Sequence, residues 1–309
     1  MGRAPRDKRG ESIRNLMEGS NHRLLPVLSL LLTASLWGLV WYPLRLLEAR
    51  GLEGLWLSAA SYGAALLVGL PWLWRRRRDW LRQPLPLLLM TLAVGWCNVA
   101  FVLAILEGTV VRVLLLFYLA PLWALVLGWV MLDERPGVTG LLVLVLALAG
   151  AAVMLWDPSM GLPWPRDRAD WLAVSSGFAF SFANVMVRHT LDLSMQTKAA
   201  VSWLGVVLVA LIWILVVHEP LPSVAPSTWL GAALLGWFGF VVMTLTVIYG
   251  VTHMPVHRSA VILLFELVVG AVSSLLLTDE QVAPQEWAGG ALILAAAWLE
   301  ARAHLGEAA

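Results

Sequence analysis

The stretch HRSAVILLFELVVGAVSSLLL, His257 to Leu277, is long and apolar enough to cross a bilayer, and it carries one acid, Glu266, near its midpoint. A carboxylate at that depth costs on the order of a few kcal/mol or more, so it requires water, a partner or a proton. At 3.6 residues per turn, Ser259, Gly270 and Ser273 share the side of Glu266, whereas Val261, Leu264, Val268 and Leu275 lie elsewhere around the helix. That small, polar side is expected to face protein. Two uses of the acid follow: a structural bond to a neighbouring helix, or a site for substrate and proton.

The rest of the chain agrees with a membrane setting. Of 309 residues, 60% are hydrophobic and 13% charged, about half the charged fraction of a soluble domain. The single cysteine, Cys97, excludes an internal disulfide and a cysteine-rich metal site. Residues 1–23 are basic, with Arg3, Arg6, Lys8, Arg9, Arg14 and Arg23, and lack the apolar core of a signal peptide, so they read as a cytoplasmic tail.

Ten apolar segments can be laid out between charged or Pro/Gly-rich breaks: Leu24–Leu47, Leu52–Trp74, Leu85–Leu106, Val110–Leu132, Val138–Trp156, Trp171–Arg188, Ala199–Val217, Trp229–Val251, Val256–Leu277 and Trp287–Ala303. Backbone groups in hydrocarbon must be satisfied within each segment, which makes these helices. The run Arg75–Arg78, with Arg82, Arg135, Lys198 and Arg302, falls on the side of the termini, which the positive-inside bias makes cytoplasmic. The expectation is an all-α membrane protein of ten transmembrane helices, with both termini in the cytoplasm of a multi-pass protein of the plasma or inner membrane. Residues 24–156 form a first five-helix unit, 157–170 an outer linker with Pro158, Pro163 and Pro165, 171–303 a second unit, and 304–309 a short cytoplasmic end.

The two units repeat. The stretch ending in Asp133–Glu134 matches the one ending in Asp279–Glu280 without a gap, bringing Arg112 onto Arg258 and Ala120 onto Glu266. A second register places Trp37, Trp41 and Arg45 on Phe180, Asn184 and Arg188. Five crossings per unit turn the second unit upside down, and the expected plan is therefore an inverted repeat with a substrate site near midplane.

The first crossing ends LLTASLWGLVWYPLRLL, and the fourth carries Ala120–Pro121 followed by an apolar run to Asp133–Glu134–Arg135. With the duplicated layout, the chain resembles the EamA branch of the drug/metabolite transporter superfamily over nearly all of 24–303. The resemblance implies a ten-helix inverted repeat in a cell membrane that moves small metabolites, often outward. Where many relatives carry Arg-Phe in the second crossing, this chain has Ser61–Tyr62.

The candidate substrate-binding residues are Trp37, Trp41, Asn98, Phe117, Asn184, Trp237, Thr244 and Glu266. Trp37, Trp41 and Arg45 form one row at a spacing of four, and Phe180, Asn184 and Arg188 form another with its arginine at the opposite end. Rows facing a cavity would place rings at mid-depth and cations at the mouths. Interfacial packing of the tryptophans and snorkelling of the arginines are the competing readings. Asn98 and Thr244 are polar groups near the bilayer centre that serve either a ligand or helix-to-helix adhesion. Pro121 frees a carbonyl and bends the fourth helix beside Phe117.

His253 and His257 are separated by Pro255 and lack acidic or thiol neighbours, so no metal is expected. Neither a His-Glu-x-x-His or Gly-x-Ser-x-Gly motif nor a phosphate-binding glycine loop occurs. No enzyme activity, cofactor or nucleic-acid partner is expected. The reading is a secondary active transporter, an exporter of amino acids, amines or aromatic compounds, with the bilayer and a small molecule as partners and protons as the coupling ion through Glu266. A buried acid that exchanges between neutral and ionised forms lets substrate and proton compete for one site, hence antiport. A proton-independent facilitator and a non-transporting scaffold or sensor remain open, as do monomer and homodimer.

Overall fold

The described residues of this computed structural model, 8–157, 164–278 and 282–306, form helices and no strand. In chain order they are α1 (Lys8–Glu48), α2 (Gly54–Arg75), α3 (Arg77–Arg82), α4 (Pro84–Glu107), α5 (Val110–Phe117), α6 (Ala120–Leu132), α7 (Val138–Leu155), α8 (Arg168–His189), α9 (Met195–Val217), α10 (Pro226–Leu234), a π-helical segment (Leu235–Phe240), α11 (Val241–His253), α12 (Val256–Leu263), α13 (Phe265–Leu277) and α14 (Pro284–Gly306). The ends of the chain, the linker prolines Pro158 and Pro163, and the Asp279–Glu280 pair lie outside the described residues.

Eight spans among the described residues are long and apolar enough to cross a membrane, counting α5 with α6, α10 through α11, and α12 with α13 as one each. The sixth and tenth expected crossings are helices α8 and α14, and both are more polar than the other spans. For α8 the reason is position. It packs against α4, α5, α6, α11 and α12, so Asp170, Ser176 and Ser181 are buried among protein and lipid sets no demand on them. Toward the outside the chain is apolar: Leu67, Trp74, Val130, Leu215 and Leu276 are all exposed, as lipid-facing positions are.

The inner packing relies on close backbone approach. A Cβ at Gly205 of α9 would lie 2.0 Å from the Thr91 carbonyl of α4, a separation that admits only glycine. Next to this crossing, Trp203 is fully buried and donates from Nε1 to Thr244 Oγ1 at 2.9 Å, tying α9 to α11.

The spans α5–α6 and α12–α13, expected as the fourth and ninth crossings, are each interrupted once. Pro121 has no N–H to return to Phe117, and the turn tightens through Leu119 N to Leu116 O (3.3 Å) and Leu122 N to Leu119 O (2.9 Å). The α12/α13 join tightens in the same way, through Leu264 N to Val261 O (3.2 Å) and Leu267 N to Leu264 O (3.1 Å), without a proline. In the register that puts Ala120 on Glu266, Tyr118 falls on Leu264, so both joins occupy one place in the repeat. The two spans also run in opposite directions, because the start of α12 meets the end of α6: Val256 N donates to Glu134 Oε2 at 2.8 Å.

Candidate functional site

Ion pairs close the bundle at both ends. At the start of α5, Arg112 Nε and Nη2 donate to both carboxylate oxygens of Asp170 on α8 at 2.7–2.9 Å. This fork-to-fork geometry suits a pair whose side chains are 11% and 2% exposed. At the other end, Arg258 of α12 faces Glu300 of α14 at 3.1 Å. The two repeated arginines thus bind different helices at opposite ends. Beside Arg258, Glu134 receives Arg188 Nε at 2.9 Å on one oxygen and the Val256 N–H on the other, while Arg188 Nη1 donates to the Thr252 carbonyl. One carboxylate and one guanidinium thereby join the ends of α6, α8, α11 and α12.

Between these ends lies a layer of rings and one acid. Tyr118, at the end of α5, donates its phenolic O–H to Glu266 Oε1 in the first turn of α13. Glu266 forms no salt bridge among the described residues. Phe117 stands beside the pair, with ring centroids 5.4 Å from Tyr118, 5.0 Å from Phe101 of α4 and 5.8 Å from Phe180 of α8. One helical turn from Phe101 on α4, the buried Oδ1 of Asn98 finds no partner among the described residues. Tyr62 stacks on Phe240 at 4.3 Å, and Phe240 meets Trp37 at 5.9 Å.

Helix α1 crosses on the polar side of α13. A Cβ at Gly38 would lie 2.6 Å from the Glu266 carbonyl, and Ser273 Oγ donates to the Gly38 carbonyl at 3.1 Å. Trp41 Nε1 in turn donates to Ser273 Oγ at 2.9 Å, which fixes its indole two turns along α13 from Glu266. Ser259, also assigned to this side, bonds its own helix through the Pro255 carbonyl at 3.2 Å.

The structure therefore brings Phe117 and Glu266 together through Tyr118, sets Trp41 on the same helix face as Glu266, places Trp37 against Phe240, and puts Asn98 one turn from Phe101. Asn184 is half-buried one turn beyond Phe180 on α8. Trp237 and Thr244 sit elsewhere. Trp237 is 38% exposed and donates Nε1 to the Ala64 carbonyl at 2.8 Å, and Thr244 accepts from Trp203, so both join one helix to another. Arg188 is held by Glu134, while Arg45 is exposed at its end of α1.

Four residues of this layer were not singled out from the sequence: Tyr118, Phe101, Tyr62 in its stacked role, and Phe240. Tyr118 carried a usable signal, since it is one of four tyrosines and lies inside an apolar span next to Pro121. The repeat register hid it by pairing Ala120, a residue with no polar group, with Glu266.

The sequence profile of the EamA-like transporter family matches residues 24–156 and 167–301. No curated protein matches the chain. Among solved structures, one titled only as the crystal structure of a protein has a TM-score of 0.70 and 19% identity, covering 90% of this chain and 96% of its own, a likeness of fold.

Proposed function

The chain belongs to the EamA-like transporter family, and from that premise we propose that it is a proton-coupled exporter of small metabolites working by alternating access. Membrane transport is the family's activity. The finer reading rests on one observation: the intramembrane acid Glu266 is bonded to a neutral hydroxyl, with no salt bridge among the described residues, at the level where both repeated spans are interrupted. An acid so placed can lose its proton as substrate arrives and regain it as substrate leaves, without first breaking an ion pair. The antiparallel run of α5–α6 against α12–α13 supports an inverted repeat of ten crossings, with rocking of the halves opening one end at a time. Phe117, Asn98, Trp37 and Trp41 supply the remaining candidate contacts, and Asn184 lies one turn from the Phe180 ring.

The test is substrate flux in proteoliposomes under an imposed pH gradient, with gradient-free exchange and thermal unfolding measured in parallel. Glu266→Gln keeps the shape of the neutral acid and cannot release a proton. Loss of gradient-driven flux with exchange and stability retained is the expected outcome. Gradient dependence equal to that of the unmodified protein would remove Glu266 from the coupling step and favour a facilitator.

A further inference from the structure

The chemistry of the central layer narrows the substrate, on the premise that the layer is the transport site. Two acceptors stand in this layer. Glu266 carries Tyr118 on Oε1 and, as a carboxylate, has acceptor capacity for further donors. Asn98 Oδ1 is a second acceptor, buried and without a partner among the described residues. Leaving such a group unpaired is unfavourable, and a ligand donor would satisfy it.

The buried and half-buried arginines and lysine among the described residues are committed elsewhere. Arg112 binds Asp170, Arg188 binds Glu134 and the Thr252 carbonyl, and Arg258 faces Glu300. Lys198 donates from Nζ to the Val187 carbonyl at 2.8 Å. Arg45 is exposed, and its distance along α1 from Gly38, which touches Glu266, is about 10 Å of helix axis. A substrate carboxylate at mid-depth would meet the Glu266 carboxyl, the Asn98 amide and aromatic faces. Among the described residues it would find no counter-charge there.

Between the two acceptors lie the rings of Phe101, Phe117 and Tyr118 in consecutive contact, with Phe180 against Phe117. Ring faces attract a cation and accommodate a flat apolar body. From this arrangement we infer that the site takes a small protonated amine on an aromatic or apolar body, with its ammonium at Glu266 and a hydrogen-bond donor at its far end for Asn98 Oδ1. A phenolic amine or an amino alcohol has this pattern. An amino acid adds a carboxylate that the layer leaves unbalanced.

Tyramine, phenethylamine, free tyrosine and desaminotyrosine separate the requirements, because they keep one ring while changing the ammonium, the carboxylate and the distal hydroxyl in turn. In proteoliposomes, with protein-free vesicles as the leak control, saturable flux of tyramine should exceed that of tyrosine and desaminotyrosine by about tenfold or more, the factor that one unbalanced buried group imposes. Asn98→Leu should bring the apparent affinity for tyramine down to that for phenethylamine. Equal flux of tyramine and tyrosine, or a tyramine preference unchanged by Asn98→Leu in a protein with an intact melting curve, overturns the inference. Saturable flux confined to tyrosine or desaminotyrosine overturns it too and leaves the transporter reading standing. No saturable flux of any of the four overturns the inference as well, and the gradient test on Glu266 decides the transporter reading separately.

Discussion

Tyr118 and Glu266, 148 residues apart in the chain, meet through one hydrogen bond that joins the interrupted span α5–α6 to the interrupted span α12–α13. Both lie at the same level of the repeat, where Pro121 on one span and a tightened turn on the other loosen the helical ladder. The contact therefore couples two interrupted segments of the bundle. Its donor is a neutral hydroxyl, so the acid can change protonation without the loss of a salt bridge.

Replacing Tyr118 by Phe keeps the ring against Phe117 and removes the donor. The expected loss is about 1–3 kcal/mol of stability, because Glu266 is left with one fewer hydrogen bond in a poorly solvated place. Transport should slow and its pH profile should move. Thermal unfolding in detergent and a pH series of flux check this, and an unaltered profile would make the hydroxyl dispensable for coupling.

Trp41→Phe retains an aromatic face and deletes the Nε1 donor to Ser273, whereas Trp41→Ala removes both. If the ring contacts substrate, Trp41→Ala should weaken apparent affinity by about 1–3 kcal/mol and Trp41→Phe should preserve most of it. Equal loss of stability in both variants, at unchanged affinity, would assign Trp41 to the α1–α13 joint alone.

Adding one methyl at Gly205 forces α9 away from the Thr91 carbonyl, since the new atom would begin 2.0 Å from that oxygen. Gly205→Ala should cost about 1–3 kcal/mol, the range for overpacking a filled interior. A melting temperature equal to that of the unmodified protein would show that the two helices part without strain.

Glu134→Gln weakens the join among α6, α8 and α12 by removing the charge opposite Arg188 while leaving an acceptor for Val256 N–H. The expected result is a population shift toward opening at that end, read as faster labelling of a cysteine at Ser259, now 1% exposed, in a Cys97→Ser background. Arg188→Ala should shift labelling in the same direction. Protection unchanged in both would mean that this cluster does not hold the end closed.

Topology has its own experiment. Cysteines placed at Asp133 and Glu134 should resist an impermeant thiol reagent added outside intact cells, and cysteines at Asp279 and Glu280 should react, because the repeats are taken to be inverted. Equal reaction of both loops from outside would overturn that orientation.

Much of this architecture was written in composition and spacing. Apolar runs of bilayer length become helices because hydrocarbon offers the backbone no other hydrogen-bond partner, and that holds whatever the neighbouring segments do. The same local rule marked Pro121 as a break and Glu266 as an acid requiring company. The repeat was legible because Arg112 and Arg258 stand at a fixed distance from the Asp133–Glu134 and Asp279–Glu280 pairs. A sequence cannot state which partner an intramembrane group takes, since that depends on which faces meet after the spans assemble. Tertiary packing chose Tyr118 for Glu266, gave Asp170 to Arg112 and Glu134 to Arg188, and turned Thr244 toward Trp203. It also buried α8 within the bundle, where protein surrounds the serines and Asp170 that made its sequence look less apolar than a crossing should be. Local hydrogen bonding fixes each helix by itself, whereas side-chain pairing across distant segments is a property of the packed whole, and for this chain the candidate site belongs to the second kind.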